Sequence, residues 1–436
     1  MEQRLNLFDM QRAILHVDGD CFFASCEIAQ NPSLRGKCVI TGMERGIVSS
    51  LTYEAKARGV KRGMSLRDVK KVCPEAVLMP SDYETYSLYS MRMFNIVKRY
   101  TSAVEEYSID ECFADLTGMR RPLNMSYEAM AKKIKQNLDD ELGMTFSVGL
   151  APSKVLAKIA SKWEKPSGLT IIQGRKIHQY LDKLLIKDVW GIGRQTSAYL
   201  NKCGIQTALQ FVKKDNDWVK KKLSKPFYEI WQELKGNAVY ELLPGQKHNY
   251  KSISKTKTFT PPSNCKNFVY SQLSKNVENA CIKARRHKLV AKKISFFLKT
   301  QDFEFNGAEL KLNMATAVPS QLLKVIFEFF GRIFTSKKMY RSTGVILMDL
   351  AEDVNSQLDL FGETLRADKF NKIFMKADEI SEKYGKHSLF LGSSLKAMTE
   401  PQHYGNRDAR ANRKKELFKG ENIRKRINIP MLGKVL

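Results

Sequence analysis

The eight cysteines, at positions 21, 26, 38, 73, 112, 203, 265 and 281, never form a CxxC pair, and the six histidines are scattered. No zinc site is therefore expected, and reduced thiols acting as small core hydrophobes fit better. No apolar run is long enough to span a bilayer and no amino-terminal signal pattern is present, so the expectation is a cytoplasmic protein with no membrane partner. Internal repeats and long low-complexity tracts are absent as well. Acid is scarce relative to base: 73 Lys and Arg stand against 46 Asp and Glu, a net charge of +27, with a pI near 9.6. An excess of that size points to a polyanionic partner, nucleic acid first.

What is present is enough to fold. With 436 residues and 43% hydrophobic content, the chain should divide into three or four units of about 100 to 150 residues each. The run Ala13, Ile14, Leu15, His16, Val17 stops at Asp18, Gly19 and Asp20, as a buried strand does when it ends at a site. A second acidic centre, Asp110 and Glu111, lies between the β-formers Val104–Ile109 and Cys112–Leu116, as in a hairpin. A solvated turn explains one such acid. Three at the ends of central strands repel one another unless a divalent cation neutralises them, and hard oxygen ligands favour magnesium. Asp20 and Asp115 are read as structural neighbours.

The pattern around these acids is α+β. Residues 22–81 form a small mixed insertion. Residues 82–172 carry a helix near Tyr83 to Tyr100, the acidic hairpin, a helix with Met130, Ile134 and Leu138 on one face, and an alternating strand through Phe146, Val148 and Leu150. A further helix from Ser153 buries Val155, Leu156 and Ile159. This suggests a ferredoxin-like layer. Residues 173–245 read as helical, and the turn Gly191, Ile192, Gly193, Arg194 has helix-hairpin-helix character, with amides free to hold phosphate. From 246 to about 350 a separate α+β module begins with lysines at 251, 255 and 257, an edge strand suited to phosphates. The tail from 351 ends in the basic segment 407–426, expected to order only on a partner.

These motifs, in this order, resemble the Y-family translesion DNA polymerases over residues 13 to 361. The resemblance implies a palm at 1–21 and 82–172, fingers at 22–81, a thumb at 173–245 and a little finger at 246–350. It also implies two Mg²⁺ ions held by Asp18, the Gly19 carbonyl, Asp110 and Glu111, with Asp18 and Asp110 bridging. Phe23 matches the steric gate that excludes a ribose 2′-hydroxyl. Tyr53 and Lys56, with Ser50, match the segment holding the incoming deoxynucleoside triphosphate, and Lys165 is a further phosphate ligand. Many relatives have arginine where this chain has Lys56, which exchanges a bidentate grip for a point charge. Gly191, Gly193, Arg194, Lys255 and Lys257 are the implied contacts to primer-template DNA. No exonuclease-like segment is apparent, so proofreading is not expected.

Val17 to Phe23 resembles the DNA polymerase IV branch. The runs from Phe23 to Glu27 and Val104 to Glu111, the glycine turn and the long tail are more similar to UmuC, the catalytic subunit of DNA polymerase V, and the balance leans that way. That branch implies a UmuD-like accessory subunit and a recombinase filament. Gln357, Leu358, Asp359, Leu360, Phe361 is similar to the bacterial sliding-clamp-binding peptide, which inserts its apolar side chains into a pocket and tethers a weak DNA binder. Two other readings use the same acids: a nucleotidyl cyclase with a palm-like sheet, and a non-catalytic DNA-bound scaffold. Neither accounts for all the downstream motifs together with all three carboxylates.

Overall fold

A computed structural model describes residues 12–244, 250–353, 363–384 and 387–400. They fall into two compact units, one within residues 1–246 and one within 247–426. In the first unit, β1 (Ile14–Gly19) leads into α1 (Phe22–Gln30). A small lobe follows: β2 (Val39–Thr41), β3 (Ser50–Leu51), α2 (Tyr53–Ala57), α3 (Leu66–Val72) and β4 (Val77–Met79). The chain then returns through α4 (Tyr83–Val97), β5 (Val104–Glu106), β6 (Glu111–Asp115), α5 (Tyr127–Leu142), β7 (Phe146–Ala151), α6 (Lys154–Trp163) and β8 (Leu169–Ile171). The helices α7 (Ile177–Lys183), α8 (Arg194–Lys202), α9 (Ala208–Val212), α10 (Asn216–Lys222) and α11 (Lys225–Leu234) complete it.

The five-stranded sheet has the order β5-β6-β1-β7-β8, so the strand carrying Asp18 is central. Its two faces are covered differently. Leu15, Val17, Phe146, Val148 and Leu150 pack under α4 and α5 with Met93, Val97, Ile134 and Leu138. Ile14, Phe113 and Ala151 face α6 and share a core with Ile186, Leu200, Trp231 and Leu234 of the helical region. The helical region and this face of the sheet thus bury their apolar residues together. The strand expected to alternate, β7, is buried at all six positions, because helices cover both of its faces. Burying Phe146 alone is worth about 2 to 3 kcal/mol.

Local signals set the helix ends. Ser126 accepts from the Ala129 amide to start α5, and Gly143, at φ 64°, ends it in the left-handed region. The start of α6 is held twice: Ser153 caps Leu156, and the buried carboxylate of Glu233 on α11 accepts from the Val155 amide at 3.1 Å. The depth of α6 is set by Gly149 in β7, where a Cβ would stand 2.2 Å from the Ala157 carbonyl and 2.3 Å from the Ser161 amide.

The second unit is a four-stranded antiparallel sheet of order β11-β10-β12-β9. Its elements are β9 (Ser252–Ser263), α12 (Lys266–Arg286), β10 (Leu289–Thr300), β11 (Phe305–Thr316), α13 (Pro319–Ile333) and β12 (Tyr340–Glu352), followed by α14 (Glu363–Tyr384) and α15 (Leu395–Thr399). One face packs Ile294, Phe296, Leu298, Val345 and Leu347 against α12 and α13. The tail also folds onto α12: Ser394 and the Leu391 amide bond to Glu278, and the Ala397 amide donates to Ser271 at 2.8 Å. Arg285, from the basic end of α12, does not face outward. It makes a bidentate pair with Asp378 of α14 at 2.7 and 2.8 Å and donates to the Ala317 carbonyl. The peptide 357–361 and the basic segment 407–426 lie outside the described residues.

Candidate active site

Asp18 and Glu111 are direct cross-strand partners in the β1–β6 register. Their side chains project to the α6 side of the sheet, as do those of His16 and Phe113. Asp110 sits at the mouth of the β5–β6 hairpin, and its carbonyl accepts from the Gly19 amide at 2.9 Å, which ties the two acidic turns together. The Asp110 carboxylate accepts from Ser108. Sequence reasoning named these three acids, and the fold brings them side by side.

Lysines now stand against two of them. Lys165 bonds to Asp18 and lies 3.6 Å from Asp20. Lys158, on α6 with only 6% of its side chain exposed, bonds to Glu111. Burial pushes the Asp18 carboxyl up, partly offset by Lys165, and the neighbouring Glu111 and Asp110 charges push it further up. Burial also acts to raise Glu111, but the hydrogen bonding and charge of His16 and Lys158 outweigh it and hold that carboxyl down at about 2. His16 is fully buried, and that burial lowers it to about 4 against the opposing pull of Glu111, so it is neutral at pH 7. Its Nδ1 lies 2.7 Å from the Ser161 hydroxyl, and its Nε2 lies 3.4 Å from Glu111. With the ring neutral, that contact is a long polar one rather than an ion pair.

Sequence reasoning missed Lys158 and His16. The available signal was a second lysine one turn after Lys154, set among Val155, Leu156, Ala157, Ile159 and Ala160. Lys154 is buried too, paired with Glu105 at 2.7 Å. Lys158 lies over the rings of Tyr107 and Trp190 at 4.6 and 5.0 Å, and Trp190 belongs to the glycine turn. Within that turn Gly191, at φ 90°, has no room for a side chain, since a Cβ would stand 2.6 Å from Ile230 Cδ1. Gly193 caps α8 and Arg194 begins it, exposed.

The residues expected to meet the nucleotide also lie close together. Phe23, on α1, stacks on Tyr86 of α4 at 4.6 Å and 11°, and meets Tyr83 edge-on at 5.3 Å. Tyr86 is fixed by a 2.5 Å hydrogen bond to the buried Glu27. Neither tyrosine was identified from sequence. Ser50 donates to the Cys21 carbonyl at 3.2 Å, and Lys56 lies 4.0 Å above the Tyr53 ring. Burial, then the charges of Asp20, Cys21 and Asp18, raise the Tyr53 hydroxyl well above its usual range, so it stays a neutral donor. Asp20 is held internally by the Ser147 hydroxyl and the Ser167 amide, and Asp115 is held by Arg12 and the Thr117 amide.

The site suits a divalent cation by its chemistry. Its donors are carboxylate oxygens, and two already carry ammonium groups as counter-charge. Among the described residues, one trio brings three potential ligand atoms within 4.8 Å: Cys38, Cys73 and Glu75. It is a poor metal centre. Burial and the neighbouring Cys38 push the Cys73 thiol up to about 11, and Arg58 already neutralises Glu75 at 2.5 Å.

In the second unit, Lys255 and Lys257 pair across from Val345 and Thr343. They therefore share the helix-covered side, while Ser252, Ser254, Thr256 and Thr258 line the open face. Lys255 is lowered by burial, then by Lys283 and Arg286, two further cations close by.

Comparison with known proteins agrees with this architecture. The impB/mucB/samB family matches residues 17–162 and its C-terminal domain matches residues 250–360. DNA polymerase IV of Bacillus velezensis is 30% identical over 88% of this chain and 94% of its own length. DNA polymerase IV of Streptococcus pneumoniae is 28% identical over 78% and 98%. Among solved structures, a Y-family DNA polymerase chimera of Dbh and Dpo4 superposes with a TM-score of 0.67 at 24% identity, covering 79% of this chain and all of the other. An insertion ternary complex of Dbh DNA polymerase gives 0.52 at 25%, over 77% and 98%. No described helix is long and apolar enough to cross a membrane. With the three carboxylates converging on the central strand of a sheet that these relatives share, the chain belongs to the impB/mucB/samB family, the metal-dependent Y-family DNA polymerases.

Proposed function

We propose that the chain adds deoxynucleotides to a primer 3′-hydroxyl opposite a DNA template, in translesion synthesis, by two-metal nucleotidyl transfer. The observation that carries this is the pairing of Asp18 with Glu111 on adjacent strands, with Asp110 tied alongside through Gly19. Asp18, Asp110, Glu111 and the Gly19 carbonyl would hold two Mg²⁺ ions, which, when bound, supply the acidified primer hydroxyl and the counter-charge for the triphosphate. The chain's own groups do the rest. Lys158 holds Glu111 ionised. Lys165, Lys56 and the Tyr53 hydroxyl, with Ser50, supply donors for triphosphate oxygens at the fingers–palm junction. The Phe23 ring, braced from behind by Tyr86, fills the space a 2′-hydroxyl needs.

The working divisions are palm 1–21 and 82–172, fingers 22–81, thumb 173–245 and little finger 246–350. Gly191, Gly193 and Arg194 are the proposed thumb contacts to duplex phosphates, through free amides ahead of α8 and a side-chain cation. Lys255 and Lys257 are their little-finger counterparts, favoured by the cationic cluster of Lys255, Lys283 and Arg286. The QLDLF peptide, Gln357, Leu358, Leu360 and Phe361 among its residues, is the proposed sliding-clamp ligand. The relatives named above are DNA polymerases IV, whereas a UmuD-like subunit and recombinase filament follow only from the UmuC-like segments; reconstitution with and without those partners tests them.

One primer-extension assay with Mg²⁺ and single nucleotides tests the whole. Asp110→Ala or Glu111→Ala should lower incorporation about 10³-fold while primer-template binding persists, and undiminished extension would end the assignment. In the same assay Phe23→Ala should admit ribonucleotides, and removal of 357–361 should abolish stimulation by the clamp.

A further inference from the structure

The tip of the β10–β11 hairpin places an aromatic side chain where the backbone favours glycine. Phe303 adopts φ 70°, in a turn closed by the bond from its own amide to the Thr300 carbonyl at 3.2 Å and by the Glu304 amide donating to Thr300 Oγ1 at 3.2 Å. Glycine or asparagine is the usual occupant of such a left-handed position. The ring gains no burial in return: Phe303 is 60% exposed and Phe305, which opens β11, is 61% exposed.

These rings belong to a larger patch on the open face of the sheet. In the β10–β11 register Phe305 pairs with Lys299, and Gly307 with Phe297; on the other side of β10, Phe297 pairs with Gly344. The Phe297 ring lies across Gly344, where a Cβ would stand 2.3 Å from it, and its centroid is 5.4 Å from that of Phe305. The patch also carries cations. Lys299 Nζ stands 4.7 Å from the Phe303 centroid and 4.5 Å from that of Phe305, and Arg341 stands 4.7 Å from Phe303. Among the described residues neither cation forms a salt bridge. Glu304 is taken by Lys338 at 2.7 Å, and Asp302 lies near the same lysine. On the same face Lys293 is different, since Glu309 and Asp349 neutralise it.

Exposed aromatic rings together with unpaired cations are the combination by which single-stranded nucleic acid is held: bases stack on ring surface and phosphates meet the cations. We propose that Phe303, Phe305, Lys299 and Arg341 form a binding site for unpaired nucleotides of single-stranded DNA, with the Phe297 ring packed against Phe305 at a tilt of 58°. The charge of the patch selects this occupant over an apolar peptide. The proposal rests on the reading of residues 250–350 as a DNA-binding module and adds to it a base-dependent contact that duplex phosphates would not use.

The test is anisotropy titration of the full-length chain with three labelled DNAs at several salt concentrations: oligothymidine, an abasic oligonucleotide of equal length, and a primer-template duplex. The wild type should prefer oligothymidine to the abasic strand about tenfold, the scale of one to two stacked bases. Phe303→Ala with Phe305→Ala should erase that preference and leave duplex affinity and the salt slope unchanged. Lys299→Ala with Arg341→Ala should weaken both single strands equally and reduce the slope by about two. Absence of the thymidine preference in the wild type, or its persistence in the Phe double variant, overturns the proposal. Its restoration by leucine at 303 and 305 does the same, because leucine is apolar without a ring face. So does sedimentation in which the wild type self-associates and the alanine variant does not, which would make the patch an interface between copies. Loss of duplex binding with the thymidine preference intact would defeat the duplex-binding reading and leave this site standing.

Discussion

The α6 side of the five-stranded sheet and the open face of the four-stranded sheet handle charge in opposite ways. In the first, each buried lysine meets a carboxylate, Lys154 with Glu105 and Lys158 with Glu111, and the aromatic rings of Phe113, Tyr107 and Trp190 close over the pairs. At the hairpin end of the second, Lys299 and Arg341 sit over exposed rings with no carboxylate of their own among the described residues, unlike Lys293 further along the same face. Buried charge must be satisfied internally or it destabilises the fold. Exposed charge costs little to leave unpaired and remains available to a ligand. The contrast separates the proposed place of chemistry from the proposed place that holds a polymer.

The sharpest way to break this contrast is Lys158→Ala, which strands Glu111 in a mostly buried position. A loss of about 3 kcal/mol in urea unfolding is expected, and Lys158→Met combined with Glu111→Gln should regain most of it. If the single variant were as stable as the wild type, the buried pair would have no structural weight. His16 gives the same logic a pH axis. Its folded value of about 4 lies below its ordinary 6.5, so its contribution is fully present above pH 6.5 and is lost as pH falls towards 4. With a chelator present, the wild type should lose about 3 kcal/mol across that window, and His16→Gln should lack that slope. Equal slopes would mean the ring is not held neutral. Tyr86→Leu removes the support behind Phe23 without touching the proposed gate, and discrimination against ribonucleotides should fall about fivefold. Unchanged discrimination would show that Phe23 keeps its place unaided. Lys255→Ala carries the smallest effect, a decrease of about one in the salt slope of duplex binding with little change in stability; an unaltered slope would remove Lys255 from the interface.

Much of this was legible in the sequence, for identifiable reasons. Asp18, Asp110 and Glu111 stood out because packing alone gives an apolar strand no reason to end in acid, and α5 announced itself through the four-residue spacing of Met130, Ile134 and Leu138. Lys158 and His16 were hidden because a cation or an imidazole within an apolar run looks like an ordinary interruption until its partner arrives from another strand. Glu111 is 47 residues from Lys158. Tyr86 was hidden for the same reason, as one of several tyrosines on α4. The side of the sheet taken by Lys255 and Lys257 was not readable either. Ile253 and Phe259 share the face of the two lysines and are buried, but the lysines between them mask its apolar character, and a strand's parity is informative only when one face is plainly apolar.

Gly149 has a consequence beyond its own strand. Because it offers no Cβ, α6 settles against the sheet with its backbone in contact, and the reach of Lys158 to Glu111 is calibrated by that separation. Alanine at 149 would act as a shim, lifting a whole helix and detuning two lysines, a serine and a histidine together. A residue with no chemistry of its own thus serves as the datum from which the charges of the candidate site are gauged.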